Sequence, residues 1–302
     1  LFLFNVTVFS FSTSHNKMNY NYPLTIRDKE SRFSLFPLNP ECMRLWEFYQ
    51  EGLESTWMVS EVNMGDDMEH WKKKINDNQR RFLKYVLCFF AGSDKIVAEN
   101  VACNFSDEID VMEAQFFYRH QAMMEDIHSH MYSILIDTYI VDMEERESIN
   151  NAITNMPVIK QKQAWAKKFS DRSTASFATR LVAFAVVEGI FFSASFAAIF
   201  YFKWLGLLPG LCKSNDFISK DEGLHCRFAC YMYTKFCKER LSEQQVYEIF
   251  REAVAVETEF VKEAIPVSLI NLNVDDMVQY VEFIADYWLK ELGYNPLFNS
   301  SN

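Results

Sequence analysis

Glycine and proline are scarce, with 8 Gly and 7 Pro among 302 residues, less than half of the roughly 12% that average usage supplies. So few breakers favour long helices joined by few turns. Alternating apolar–polar runs bounded by turn residues are almost missing, which argues against a sheet protein. The seven cysteines include no Cys-x-x-Cys pair and leave one over. A disulfide framework is therefore not implied, and a reducing, cytoplasmic setting is expected. Cys226 and Cys230, four apart in an apolar helical pattern, read as small core residues. Dense basic stretches are lacking too. The net charge is −11, and the only basic run, Lys72-Lys73-Lys74, reads as a solvated helix face. Nothing here would neutralise phosphates, so nucleic acid is excluded as a partner. The opening LFLFNVTVFSF has neither an initiating Met nor a basic flank, and polar residues interrupt it. It lacks the layout of a signal peptide. Residues 1–34 are expected to be a poorly ordered extension, with Met18 the true start and Asn5-Val6-Thr7 a chance sequon.

What is present is a globular composition, 49% hydrophobic and 24% charged, enough for a large core. Asn39-Pro40 has the form of a helix opening, with an N-cap followed by Pro in the first turn. Further long helices are expected over 78–105, from Asp107 to about Ile140, from about Ser173 to Trp204, from about Asn215 to Arg240, and over 275–292. Ser242-Glu243-Gln244-Gln245 fits a capping box opening another, which Pro266 closes. With no internal repeat and no low-complexity linker, residues 35–302 are expected to form one all-α domain.

RLVAFAVVEGIFFSASFAAIFYF, residues 180–202, carries one acid, Glu188, near its middle. A membrane span would call for basic flanks, aromatic belts and further spans, and no other stretch is long enough without charges. A helix apolar on every side belongs instead at the centre of a large bundle. A carboxylate buried there costs several kcal/mol unless it is protonated, paired or bound to a cation.

Two Glu-x-x-His motifs bear on that choice: Glu125 with His128 in EDIHSHMY, and Glu222 with His225 in DEGLH. Residues three apart project from one helix face, so each pair can grip one ion through oxygen and nitrogen. Either motif alone arises easily by chance. Two on separate helices, with a buried acid on a third, match the plan of bundles that hold paired metals. The fourth carboxylate should come from FFAGSDKIVAEN, where Asp94 and Glu99 are the candidates. Asp94 follows the apolar run and reads as inward; Glu99 is rotated from it by about 140°. The metal set is then Asp94, Glu125, His128, Glu188, Glu222 and His225. Its four carboxylates balance two divalent cations. Mixed oxygen and imidazole donors suit iron or manganese over zinc in redox work. Tyr132, seven residues after Glu125, shares the metal-facing side, and by itself could equally be a core aromatic. His15, His70, His120 and His130 are assigned surface or structural roles.

STWMVSEV, FFAGSDKIVAEN, EDIHSHMYSILIDTYI, RLVAFAVVEGIFFSASFAAIF and SKDEGLHCRFAC, in this order and spacing, resemble the radical-bearing small subunit of class I ribonucleotide reductase of the eukaryotic type. The resemblance runs from about Leu35 to Phe298. It implies a ferritin-like bundle with two iron ions per chain, oxo-bridged when oxidised, in preference to manganese. Asp94, Glu125 and His128 would hold one iron and Glu188, Glu222 and His225 the other, with Glu125 and Glu222 bridging. Tyr132 would carry a stable radical in a pocket lined by Phe192, Phe196 and Ile218. Asp221 would link His128 to Trp57 as a relay towards the large subunit. From the residues alone, Trp57 reads as packing and Asp221 as a solvated acid. Implied partners are that large subunit and a second small subunit, in a homo- or heterodimer, with no nucleic acid and no membrane. Two alternatives stand beside this reading: a ferritin-type diiron oxidase, and a degenerate subunit supporting an active sister. Three departures from the family pattern stand out. Lys220 replaces the usual Arg before Asp-Glu, Ala194 replaces a Gly, and the chain stops at NPLFNSSN where the family continues into a tail that docks on the large subunit. Cofactor assembly with weak or no binding to the large subunit is therefore expected.

Overall fold

A computed structural model describes residues 34–100, 105, 108–171, 173–263 and 273–301, with only the backbone described for 92–100, 153 and 170. The expectations for Asn5, His15 and Met18, for nearly all of the 1–34 extension, and for Pro266 as a terminator lie outside the described residues. Asn39 caps as its sequence predicts. Its Oδ1 accepts from Glu41 N at 3.0 Å, a 3-10 turn spans Pro40–Cys42, and α1 (Met43–Ser55) follows. Among the described residues the remaining helices are α2 (Asp67–Lys73), α3 (Asp77–Asn100), α4 (Met112–Tyr139), α5 (Met143–Asn155), α6 (Pro157–Ser170), α7 (Phe177–Gly189), α8 (Ser193–Trp204), α9 (Pro209–Phe236), α10 (Glu243–Glu263) and α11 (Val274–Glu291), and none is a strand.

The centre is a bundle of α3, α4, the α7–α8 pair and α9. α3 packs mainly on α4 and α7 on α9, while α1 lies along α4. α6, α10 and α11 cover the outer side of α7 and α8. The segment Phe177–Trp204 is long and apolar enough to cross a membrane, yet 89% of its most apolar window is buried inside the protein. That burial satisfies its apolar faces without lipid.

The structure corrects several sequence expectations. The helix expected from Asp107 begins only at Met112, after the non-helical residues 108–111, and the one expected to reach Arg240 ends at Phe236. The helix expected from Ser173 to Trp204 starts later, at a Ser176 cap whose Oγ accepts from Thr179 N, and it is broken in two. At the break Ile190 N and Phe191 N both donate to Val186 O, at 2.8 and 3.3 Å. The second of these spans five residues and widens the turn, as in a π-type bulge. The helix expected from Asn215 begins six residues earlier, because Pro209 starts it and Asp67 caps it from α2. The Asp67 oxygens accept from Gly210 N at 2.7 Å and Leu211 N at 2.8 Å. Finally, α5 and α6 have no counterpart among the expected helices, and α2 has only the helix face read at Lys72-Lys73-Lys74. α5 and α6 carry ordinary start signals, Asp142 accepting from Glu144 N and Pro157 in the first turn of α6. The capping box at Ser242 is present, with Ser242 N donating to Gln245 Oε1 at 2.9 Å and Gln245 N to Ser242 Oγ at 3.3 Å.

Candidate metal centre

The two Glu-x-x-His pairs face each other across the bundle. α4 supplies Glu125 and His128, α9 supplies Glu222 and His225, and α7 supplies Glu188; all five are at most 3% exposed. The three-residue spacing puts each acid and imidazole on one helix face, and the apolar remainder of each helix takes that face out of water. One ligand atom from each of Glu125, Glu188, Glu222 and His225 lies within 4.8 Å of every other. The backbone of Asp94 sits in α3; its side chain, like that of Glu99, lies outside the described residues.

Glu125 and Glu222 each reach both imidazoles through different oxygens. Glu125 Oε2 is 3.3 Å from His128 Nδ1 and its Oε1 is 3.2 Å from His225 Nδ1. Glu222 Oε1 is 3.2 Å from His128 Nδ1, and its Oε2 is 3.1 Å from His225 Nδ1. Glu188 Oε2 stands 3.4 Å from His225 Nδ1 alone, and Gln121 Nε2 donates to its other oxygen at 3.3 Å. The arrangement is two nitrogen–oxygen clusters sharing two carboxylates. Both Glu125 oxygens and His128 Nδ1 are fully buried without a hydrogen bond of proper geometry. Atoms left so in a dry interior cost about 1–3 kcal/mol or more each, and a pair of cations would satisfy them. The donor set fits a dinuclear centre.

Without cations, protons hold the charges together. Burial pushes Glu188 well above the usual carboxylate range, and Glu222 beside it adds to the push. Burial also raises Glu222, but hydrogen bonds from Glu188, His128 and His225 overcome it and leave this acid well below its ordinary value. Burial disfavours charge on both imidazoles, yet their carboxylates win. Asp221, Glu125 and Glu222 raise His128, and Glu125, Glu188 and Glu222 raise His225, each well above 6.5.

Asp221 is buried at 4% exposure, not solvated as its sequence context alone suggested, because α9 turns this face onto α4. Its Oδ2 meets His128 Nε2 at 3.0 Å and accepts from Trp57 Nε1 at 2.8 Å. With Nε2 so engaged, Nδ1 is the ligating atom of His128. The Trp57 ring is stacked at 17° to the His128 ring, with centroids 6.1 Å apart, and at 16° to Phe217. Lys220, next in chain to Asp221, points to solvent. His120 is buried and contacts Thr56 Oγ1 at 2.9 Å, His70 Nδ1 accepts from Leu208 N, and His130 is exposed. Each has the structural or surface role expected.

Tyr132 is 3% exposed, and Phe192, Phe196 and Ile218 are at most 8% exposed. The ring against the tyrosine is one the sequence reading missed. Phe90 stacks on Tyr132 with centroids 5.1 Å apart at 12°, and also meets Phe196 at 5.1 Å and Phe192 at 5.9 Å. Helical spacing could have found it, since Phe90 precedes Asp94 by four residues. Gln121, the donor to Glu188, precedes Glu125 by the same step.

Comparison with known proteins agrees with this geometry. The family model described as ribonucleotide reductase, small chain, matches residues 32–302. The chain is 48% identical over 277 residues to the ribonucleoside-diphosphate reductase subunit M2 of Mesocricetus auratus, covering 92% of this chain and 71% of that one. The human subunit M2 is 47% identical over 277 residues, with 92% and 70% covered. Among solved structures, the ribonucleotide reductase Rnr4 homodimer of Saccharomyces cerevisiae is similar with a TM-score of 0.85 at 28% identity, over 92% of this chain and 87% of that one.

Proposed function

The chain belongs to the ribonucleotide reductase small-chain family, and from that footing we propose that it generates and stores a radical on Tyr132 for a large subunit that reduces ribonucleoside diphosphates. It is a ferritin-like class I small subunit and an oxidoreductase component. The observation that carries the radical reading is the sharing of Glu125 and Glu222 between two imidazoles, which calls for two cations side by side. Asp94, Glu125 and His128 would hold one and Glu188, Glu222 and His225 the other. Iron is the metal we propose. When bound and oxidised by dioxygen, such a centre supplies the oxidant that removes one electron and the phenolic proton from Tyr132.

The remaining work falls to the protein. Phe90, Phe192, Phe196 and Ile218 exclude water from the tyrosine, which protects a radical from quenching. Asp221 fixes the His128 ring and receives the Trp57 N–H, so the imidazole, carboxylate and indole form one hydrogen-bonded line leading away from the metals. Trp57 lies between α1 and the 3-10 turn Val59–Glu61 and would serve that line as the electron relay. Partnership with a large subunit and pairing with a second small subunit, in the cytoplasm, complete the proposal.

Electron paramagnetic resonance after anaerobic ferrous loading and brief exposure to air tests it. A tyrosyl doublet is expected from the native chain and none from Tyr132→Phe, which should still bind two irons. An unchanged doublet in the variant would move the radical elsewhere. Two bound irons without any radical in the native chain would favour a supporting subunit or an oxidase.

A further inference from the structure

The break between α7 and α8 lies directly beside the metal centre, and three side chains hold it, one from α8 itself and two from other helices. Gly189 O accepts from Trp288 Nε1 of α11 at 3.3 Å, Ile190 O from Ser193 Oγ at 2.7 Å, and Phe191 O from Lys162 Nζ of α6 at 2.8 Å. The third is the unusual one. Lys162 is 5% exposed and forms an ion pair at 2.5 Å with Glu257 of α10, which is fully buried. Its ammonium also lies 3.4, 4.5 and 5.2 Å from the ring centroids of Phe260, Phe89 and Phe191.

A buried ion pair is a weak source of stability, because desolvating both charges offsets most of their attraction. This one has an evident structural consequence instead. A cavity of about 30 Å³ lies between Lys162, Phe89, Val187, Phe191 and Phe192, room for about one water. Packing beside the break is therefore incomplete on this side, and the bond from Lys162 fixes the Phe191 carbonyl where side-chain contact leaves slack. Val187 and Phe192 flank that cavity, and they are the chain neighbours of Glu188 and a wall of the Tyr132 pocket.

We infer that Lys162, held by Glu257, is a positioning residue: it pins the α7–α8 break and thereby sets both Glu188 in the metal centre and Phe192 against Phe90 beside the radical tyrosine. The inference rests on the diiron radical reading for its functional half only. The pin itself is a property of the metal-free chain.

Lys162→Met alone would leave a buried, unpaired Glu257, so the test uses the double variant Lys162→Met/Glu257→Leu, which removes both charges with the volume nearly kept. It is expected to fold with a urea midpoint near that of the native chain. In the metal-free protein, amides of residues 189–196 should exchange roughly two- to tenfold faster, as for the loss of one hydrogen bond, with α4 unchanged. After ferrous loading and air, iron per chain should hold while the radical decays several-fold faster or its doublet changes shape. Unchanged exchange overturns the pin, and changed exchange with an unaltered radical overturns its functional role. If the native chain forms no radical, the proposed function fails, and the exchange measurement still decides whether Lys162 holds the break.

Discussion

His128 faces two ways. Nε2 meets Asp221 while Nδ1 lies among the shared carboxylates, so one ring joins the metal centre to the relay. Its charge state without metal has a measurable consequence. His128 and His225 have folded-state pKa values raised above 6.5, and Glu188 is likewise raised above 4.5. The folded chain thus keeps protons that the unfolded chain has released, and its stability falls as pH rises. For the histidines, the contribution is complete below about 6.5 and is lost as pH climbs through the higher folded values. Glu222, held low, acts in the opposite sense, but its contribution is already complete above the ordinary carboxylate range. We expect the melting temperature of metal-free protein to drop between pH 6.5 and 9, and metal-loaded protein to lack that drop. Thermal melts across this range, with and without chelator, would reveal it. A flat metal-free profile would mean that the imidazoles are neutral.

At the scale of elements, the outer helices set how the inner ones end. A Cβ at Gly189 would lie 2.4 Å from Trp288 Nε1, so α11 approaches α7 more closely than any other residue would permit. Gly189→Ala must push α11 outward or tilt the indole off the Gly189 carbonyl. We expect a loss of about 1–3 kcal/mol, read as a lower urea midpoint with an unchanged slope. A variant as stable as the native chain would show that α11 yields freely. The same break explains one limit of the sequence reading. RLVAFAVVEGIFFSASFAAIF has no proline, and the single pair Glu188-Gly189 is too small an interruption of its apolar pattern to end a helix, so local propensity points to a single helix. What divides it is tertiary: Trp288 and Lys162, 99 and 29 residues distant in sequence, offer partners for carbonyls that a straight helix would have kept.

For the whole molecule, the metals would be part of the fold. Five of the proposed ligands are buried at 3% exposure or less, and their like charges come together only in the native state. Metal that binds this state alone stabilises it by about 4 kcal/mol per site at a thousandfold excess over Kd. Removing it with chelator should therefore lower the denaturation midpoint sharply, and readdition should restore it. An unaltered midpoint would argue against binding at these residues. The legible part of this architecture was whatever repeats on a helix face: Glu125 with His128, Glu222 with His225, and the apolar ring around Glu188. Buried Asp221 was not legible from its own neighbours, since Lys220 beside it faces water; only the resemblance gave it a role. Phe90 was open to a spacing argument, since it lies one turn before the proposed ligand Asp94. The start of α9 was not, because half of its signal lies on another helix.

That cap makes the order of synthesis matter. Asp67 is made 143 residues before the Gly210 amide it receives, a wait of roughly 7–30 s at ordinary translation rates. Until then its carboxylate has nothing of α9 to cap and can draw only on earlier partners such as the Tyr139 hydroxyl, which donates to Oδ2. The helix that brings Glu222 and His225 to the centre therefore settles late, on a nascent chain that already carries Glu125, His128 and Glu188. A fragment beginning after residue 67 would carry the whole of α9, both of its ligands included, with no cap to start it.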